Sequence, residues 1–353
     1  MKKHALLSAA LAAAMTISFQ ASAWKPSAFF VVENESEHDN PTWDHNSGTS
    51  LTTGIVGGTI EEGNWLFSGS YGQSYQSAKR AYKKNQNNLF VTYLNTYQGP
   101  WGGQDSDFSL KVGYRGENHS RAPASNNALN AASLKTDLIS NEQRNEYWIV
   151  PTANYKFSRN FRIHGQYTYR YIDRQLTYLK RFEQPKYFSE TINTSSDIQS
   201  GYAGFRYTFE KGVTDFTRNF IEVNYYFTTE NLKNTLYNDE HFIWVRGYVP
   251  YKVNGYIGGI SPYVYWDFKE ANRDYYNSYG TLLRSEEASR PRYGMRLSQN
   301  LPSGWSIAFD GYYSPRKHTV TYDFDPKYTG NVIGEDNVDI NFLYGALELT
   351  KRF

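Results

Sequence analysis

The chain has no cysteine in its 353 residues. That excludes disulfide staples, thiolate metal sites and cysteine nucleophiles. It also removes the acylated cysteine that a lipoprotein anchor needs. After the first 23 residues no segment approaches eighteen consecutive apolar residues, so no transmembrane helix is expected. Charge of one sign is missing too. The formal net charge is +2, and setting aside Lys2 and Lys3 leaves 35 basic and 35 acidic residues. Such a balance argues against nucleic acid as a partner and against a strongly polarised single-ion pore. No Gly-x-Ser-x-Gly, His-Glu-x-x-His, phosphate-binding loop or calcium loop occurs. Beyond the leader the histidines are few and scattered: His38, His45, His119, His164, His241 and His318. They do not form the clusters that a membrane-embedded lipase or protease needs. The expectation is a protein that is not an enzyme and binds no cofactor.

Aromatic residues, by contrast, are abundant. The chain holds 32 Tyr, 21 Phe and 8 Trp, yet its mean hydropathy is −0.68. A polar chain so rich in aromatics suits a barrel with lipid outside, water inside and aromatic girdles at two headgroup levels. The amino terminus fits export. Lys2 and Lys3 precede an apolar stretch ending at Ala21, Ser22 and Ala23, the small-x-small pattern of a signal-peptidase site. Residues 1–23 are therefore expected to be a cleaved signal peptide, and 24–353 one barrel domain in the cell outer membrane.

The remaining chain beats in alternating segments near 26–36, 50–60, 65–74, 88–97, 107–116, 144–157, 161–172, 198–209, 219–228, 241–251, 260–269, 290–300, 305–314 and 338–353. Alternation means one apolar and one polar face per strand. Each run is about ten residues, the length a tilted strand needs to cross a bilayer. The facing of 50–60 and 88–97 is the least clear. Connections alternate between short (61–64, 98–106, 158–160, 210–218, 252–259, 301–304) and long (37–49, 75–87, 117–143, 173–197, 229–240, 270–289, 315–337). The fold class is thus all-β: a transmembrane antiparallel barrel of about fourteen strands, with short periplasmic turns and long extracellular loops. The last strand carries Leu343, Gly345, Leu347, Leu349 and Phe353 on one parity and Tyr344, Glu348 and Arg352 on the other. An aromatic end is what outer-membrane assembly machinery reads. In a barrel without edges this strand must pair with the one near Pro26.

The polar parity should line a pore. It supplies Lys111, Arg115, Arg162, Arg170, Arg206, Arg246, Arg292 and Arg296 as cations. Glu222, Asp267, Asp310 and Glu348 are its acids, joined by Glu33, Glu35 and Glu146. Trp148, Trp244, Tyr263, Tyr265 and Tyr312 are its aromatics, either sugar-stacking surfaces or rim residues. A charge facing lipid at mid-membrane costs roughly 2–4 kcal/mol, so this many arginines imply a wet face. Opposed basic and acidic patches set up a transverse field, and charged rings with pore diameter govern selectivity. At any one position the charges can equally pair and stiffen the wall. The inter-strand stagger decides whether Arg162, Arg206, Arg246 and Arg296 form a ladder, and sequence does not give it.

The last third resembles a known family. Phe220, Ile221, Glu222, Val223, Asn224, Tyr225, Tyr226 and Phe227 carry the likeness. So do Val245 to Pro250 (Val-Arg-Gly-Tyr-Val-Pro), Ser261 to Val264 (Ser-Pro-Tyr-Val) and Gly304 to Asp310 (Gly-Trp-Ser-Ile-Ala-Phe-Asp). Over about 219–353 these are similar to the monomeric outer-membrane porin G family. The resemblance implies a fourteen-stranded monomeric channel for passive diffusion of mono- and oligosaccharides, embedded among outer-membrane lipids. It also implies a pH gate built from histidines on two neighbouring strands, with a mobile sixth loop, here 270–289. His318 matches the second histidine. The partner position falls at Ala288 and Ser289, which are not histidines, so a His–His switch is incomplete. Porins for acidic oligosaccharides are a second relative to weigh, and a non-conducting structural or adhesive barrel is a third reading.

Overall fold

The computed structural model describes residues 24–39, 49–76, 80–98, 104–123, 138–182, 186–214, 217–232, 236–276, 282–322 and 334–353. The expected signal peptide lies outside the described residues, as does most of the first long connection. The described chain is almost wholly strand. In order the strands are β1 (Lys25–Asp39), β2 (Thr49–Glu62), β3 (Trp65–Gln76), β4 (Arg80–Gln98) and β5 (Gln104–Pro123). Then come β6 (Leu138–Lys156), β7 (Phe161–Phe182), β8 (Lys186–Gly212), β9 (Arg218–Leu232) and β10 (Leu236–Val253). The last five are β11 (Tyr256–Tyr276), β12 (Leu282–Ser289), β13 (Arg292–Asn300), β14 (Trp305–Tyr322) and β15 (Gly334–Arg352).

Sequence neighbours pair antiparallel throughout except β12 with β13, and β15 closes onto β1. Leu349 faces Phe30, Leu347 faces Val32, and the Phe353 amide donates to the Pro26 carbonyl at 3.1 Å. No edge is left among these strands, which is the condition for crossing lipid without unsatisfied backbone groups. The wall has fourteen staves because β12 and β13 are two halves of one. Both pair with β11 and β14. Pro291 has no amide hydrogen to offer a ladder, so the stave breaks there. The Arg290 amide turns instead to the Asp267 carboxylate.

The short turns gather at the end that holds both termini. At the β10–β11 hairpin Asn254 and Gly255 take φ of 50° and 86°, the left-handed pair of a two-residue turn whose twist matches the strands. The opposite end differs from the sequence expectation. Much of what reads there as long loop is continued ladder. β7 and β8 run 22 and 27 residues and stay paired from Phe161–Tyr207 up to Phe182–Lys186. Polar alternation beyond the bilayer looks like loop in sequence, yet a two-stranded ribbon extending an existing ladder needs no new apolar face. The expected sixth loop is likewise part of the wall. Ala271 to Tyr276 pair with Leu282 to Ala288, and only 277–281 lie outside the described residues.

Facing is settled by a geometric point. Side chains on the concave side of a curved wall converge, so they alone can touch across an intervening strand. Contacts of that kind join β4 to β6 (Phe90–Trp148), β7 to β9 (His164–Asn224 and Arg174–Glu230), β9 to β11 (Tyr226–Tyr265), β11 to β14 (Tyr263–Asp310) and β13 to β15 (Arg296–Glu348). All twelve residues are of the polar parity or its aromatics. The other parity presents Val112, Ile149, Ile163, Ile221, Phe309 and Leu347 to the outside, with Leu347 48% exposed. Leu89 joins that set at 62%, which fixes the facing of 88–97.

Two aromatic belts bound this apolar wall. At the short-turn end stand Trp65, Phe67, Phe157, Phe161, Tyr207 and Phe353. Toward the other end, outward tyrosines reach to a polar group on the next strand. Tyr114 donates to Asn145 at 2.7 Å, Tyr167 to Gln199 at 3.0 Å, Tyr169 to Asp197 at 2.6 Å and Tyr313 to Asn341 at 2.6 Å. Each hydroxyl points away from the short turns. That is how an amphipathic ring sits when its body is in hydrocarbon and its tip at the headgroups. On β14 the belts are marked by Trp305 and Tyr313. Eight residues at about 3.3 Å each and a 40° tilt rise roughly 20 Å, close to the ~25 Å apolar band of such barrels.

Candidate functional site

Three buried carboxylates stand on the inward face, Glu117, Glu146 and Glu222, and the last two each gather several arginines. Glu222 on β9 is 3% exposed. Arg206 on β8 donates from Nε to Glu222 Oε2 at 2.5 Å. From β10, Arg246 Nη2 donates to both carboxylate oxygens at 3.1 and 3.3 Å. The guanidinium of Arg162 on β7 lies 4.0 Å away. Asn224, 1% exposed, donates to Oε1 at 3.0 Å and turns its carbonyl to His164 Nε2 at 2.6 Å. The register explains the convergence: Arg162 pairs with Arg206, Arg206 with Glu222, and Glu222 with Arg246. Under this cluster lies Phe220, with Arg206 stacked 3.9 Å from its centroid and Arg246 at 5.4 Å. One glycine makes room. A Cβ on Gly204 would stand 2.0 Å from Asn224 Oδ1 and 2.3 Å from the Val223 carbonyl.

The second hub is Glu146 on β6, 1% exposed. Arg144 pairs with it at 2.5 Å and Arg170 lies 3.8 Å away. Between the guanidiniums of Arg170 (4.6 Å) and Arg115 (5.2 Å) sits the Trp148 ring. Arg115 also donates to Asn88 at 2.7 Å. Lys111 caps the Phe90 ring at 5.2 Å, and Phe90 meets Trp148 edge-on at 5.9 Å.

An aromatic arc continues around the wall from β8 to β15. Tyr202 contacts Tyr226 at 4.9 Å, and Tyr226 stacks on Phe242 at 4.8 Å. Trp244 stacks on Tyr265 at 5.5 Å. Arg292 bridges to the far half, 5.2 Å from Tyr265 and 5.3 Å from Tyr312. Tyr312 then stacks on Tyr344 at 4.9 Å. Tyr263 donates to Asp310 at 2.8 Å. Arg296 stands apart, paired with Glu348 at 3.2 Å and nearly half exposed.

The arginine ladder left open by the sequence is therefore partial. Arg162, Arg206 and Arg246 meet at Glu222, while Arg296 belongs to another wall. Asp267 holds the broken stave. The fourteen-stave ring also fixes what faces what. Arg162 on β7 lies seven staves from Glu348 on β15, and Arg206 on β8 seven staves from Glu33 and Glu35 on β1. Basic and acidic positions are thus diametrically opposed. His318 on β14 pairs in register with Ala288 on β12, the neighbour that the resemblance singled out. Neither Phe220 nor Phe242 was placed in the lumen from sequence. Their even parity, shared with Glu222 and Trp244, was the available signal, but an apolar residue on a polar face reads as noise until its cation or ring partner is seen.

No protein-family model matches the chain, and no curated protein matches it. Solved structures of similar fold exist. The deltaS2 mutant of the TodX monoaromatic hydrocarbon channel aligns with a TM-score of 0.49 at 9% identity, covering 96% of this chain and 92% of that one. The CymD monoaromatic hydrocarbon channel gives 0.45 at 8% identity, with 93% and 88% covered. The beta domain of the Bordetella autotransporter BrkA gives 0.43 at 10% identity, with 93% and 99% covered. Each is a likeness of fold alone, and no role is taken from it.

Proposed function

We propose that the protein is a monomeric outer-membrane porin, a water-filled channel for passive diffusion of small hydrophilic solutes, mono- and oligosaccharides among them. The observation that carries this reading is the inward face. It holds many arginines and carboxylates, some paired on neighbouring staves and some across the ring, a charge density that a lipid-facing wall does not tolerate. Lys111, Arg115, Trp148, Arg162, Arg170, Arg206, Glu222, Trp244, Arg246, Asp267, Arg292, Arg296, Asp310, Tyr312 and Glu348 are its pore-lining residues. The opposed charges orient polar solutes, and the Trp244–Tyr265 stack offers a flat apolar face to a sugar ring. In this reading the short turns are periplasmic, and export relies on a leader at 1–23 and on the strand ending in Phe353.

Refolded protein in planar bilayers is expected to conduct, and proteoliposomes are expected to swell in neutral oligosaccharides. A Trp244→Ala, Tyr265→Ala double variant should weaken sugar block of the current roughly fivefold, the worth of one aromatic stack. Absence of any conductance would favour the structural barrel, and faster swelling in acidic than in neutral oligosaccharides would favour an acidic-sugar porin. Turnover of lipid or peptide would overturn the channel reading in favour of an enzyme.

A further inference from the structure

The rings of the aromatic arc run around the barrel and not along it. Each touches a ring on the next stave or reaches it through one cation. Tyr202 meets Tyr226 at 4.9 Å, Tyr226 meets Phe242 at 4.8 Å and Phe242 meets Tyr265 at 5.3 Å. Arg292 joins Tyr265 to Tyr312, which meets Tyr344 at 4.9 Å. The arc thus crosses half of the fourteen staves, roughly 30 Å around the wall at about 4.8 Å per stave. Its depth hardly changes. From the short-turn ends of their strands, Tyr263 and Tyr312 lie seven residues beyond Tyr256 and Trp305. Tyr226 and Tyr344 lie eight from Arg218 and Arg352, Trp244 nine from Val253, Tyr202 ten from Gly212 and Phe242 eleven from Val253. That spread of about four residues is roughly 10 Å of pore at 3.3 Å per residue and a 40° tilt.

Charge bounds the arc on both sides. Toward the hairpins stand Glu230, paired with Arg174, and Asp267, which takes the Arg290 amide. Toward the short turns Arg246 lies 4.7 Å from the Trp244 ring and 5.4 Å from that of Phe220. Its guanidinium separates the arc from the Phe220–Tyr248 stack beneath. Tyr202, Tyr226, Phe242, Trp244, Tyr265, Tyr312 and Tyr344 are all half-buried, so each keeps part of its surface toward the lumen. One aromatic stack multiplies affinity by roughly two- to tenfold. Rings laid along a pore repeat that gain for every unit of a sugar chain. A band this shallow is filled by two linked sugar rings, and the rest of the chain then lies among charged groups.

We propose that the arc is a collar that binds one or two units of a saccharide at a time, so that the channel selects for sugar rings and not for chain length. The inference rests on the sugar-channel reading and adds the size of its site.

The test is saturation-transfer NMR of the full-length protein, folded in a detergent without a sugar headgroup. Glucose, maltose, maltotriose and maltohexaose are the probes. From maltose to maltohexaose the affinity should rise by no more than about fivefold, the statistical gain from five adjacent pairs in place of one. A larger rise would mean that a chain lies along the arc or down the pore, and it overturns the proposal. Trp244→Ala should weaken maltose and maltohexaose by the same factor, about fivefold. Tyr248→Ala removes the next ring beyond Arg246 on the same stave and should leave both unchanged. A loss confined to maltohexaose in either variant reveals an extended track and overturns the collar, as does absence of saturable binding by all four sugars. The measurement needs no conduction, so a barrel that conducts but binds none of these sugars loses the collar and keeps the channel.

Discussion

Glu222 shows how much one side chain holds at the scale of the residue. Its carboxylate is out of water and serves Arg206 and Arg246 directly, with Arg162 and Asn224 beside it. Replacing it with glutamine leaves three guanidiniums facing each other with no counter-charge. The expected cost is roughly 3 kcal/mol, the usual penalty for removing one partner of a buried ionic group. Urea unfolding of the lipid-folded barrel measures that cost. The reversal potential in a salt gradient should move toward anion preference in the same variant; an unmoved potential would mean that the cluster does not face the ion path. Gly204 makes a second residue-scale case. Gly204→Ala puts a methyl onto Asn224 and onto the Val223 backbone, which cannot yield as a long side chain can. A loss of about 1–3 kcal/mol is expected from such overpacking, read in the same unfolding assay.

At the scale of the element, a strand's meaning lies in its parity. Leu347 on β15 and Thr92 on β4 occupy opposite faces of the wall. Arginine at 347 meets hydrocarbon and should destabilise the barrel by roughly 2–4 kcal/mol, whereas arginine at 92 enters the polar lumen and should cost far less. Equal costs would contradict the facing argued from contacts across strands. The β11–β12 hairpin is a second test. His318 faces Ala288 across the ladder, so protonating it brings no second imidazolium into opposition. Conductance is expected to change only weakly between neutral and mildly acid pH. Sharp closure that His318→Ala abolishes would restore a histidine gate.

For the whole molecule, closure sets the properties. A ring of fourteen staves puts β7 opposite β15 and β8 opposite β1, which converts a chain of balanced charge into a lumen with a basic and an acidic side. The buried hubs Glu146 and Glu222 both lie on the basic side, on staves β6 and β9, and thicken that wall. The inward residues of β2 and β3 are small, such as Thr59, Ser68 and Ser70, and leave more room on their side. Enlarging that side should narrow the path. Ser70→Trp is expected to lower single-channel conductance more than Lys252→Trp at the rim, measured in bilayers at the same salt.

Much of this barrel was legible in the chain itself. Period-two alternation with about ten residues per apolar run settles strand, facing and bilayer in one pattern, because side chains alternate regardless of what lies beside them. The even number of runs and the sorting of connections gave the stave count and the pairing of β1 with β15. What alternation does not carry is stagger. Whether Arg162, Arg206 and Arg246 meet Glu222, and Arg296 meets Glu348 instead, depends on the offset between neighbouring strands, a property of pairs rather than of single strands. The same holds for the tyrosine hydroxyls that all reach one way, for the broken stave at Pro291, and for ribbons that extend β7 and β8 where sequence suggested loop. Sequence by itself determined the faces of most strands, with 50–60 and 88–97 left to the structure. Only the tertiary structure decided which side chains on the inner face meet, because convergence across a curved wall exists only once the wall has closed.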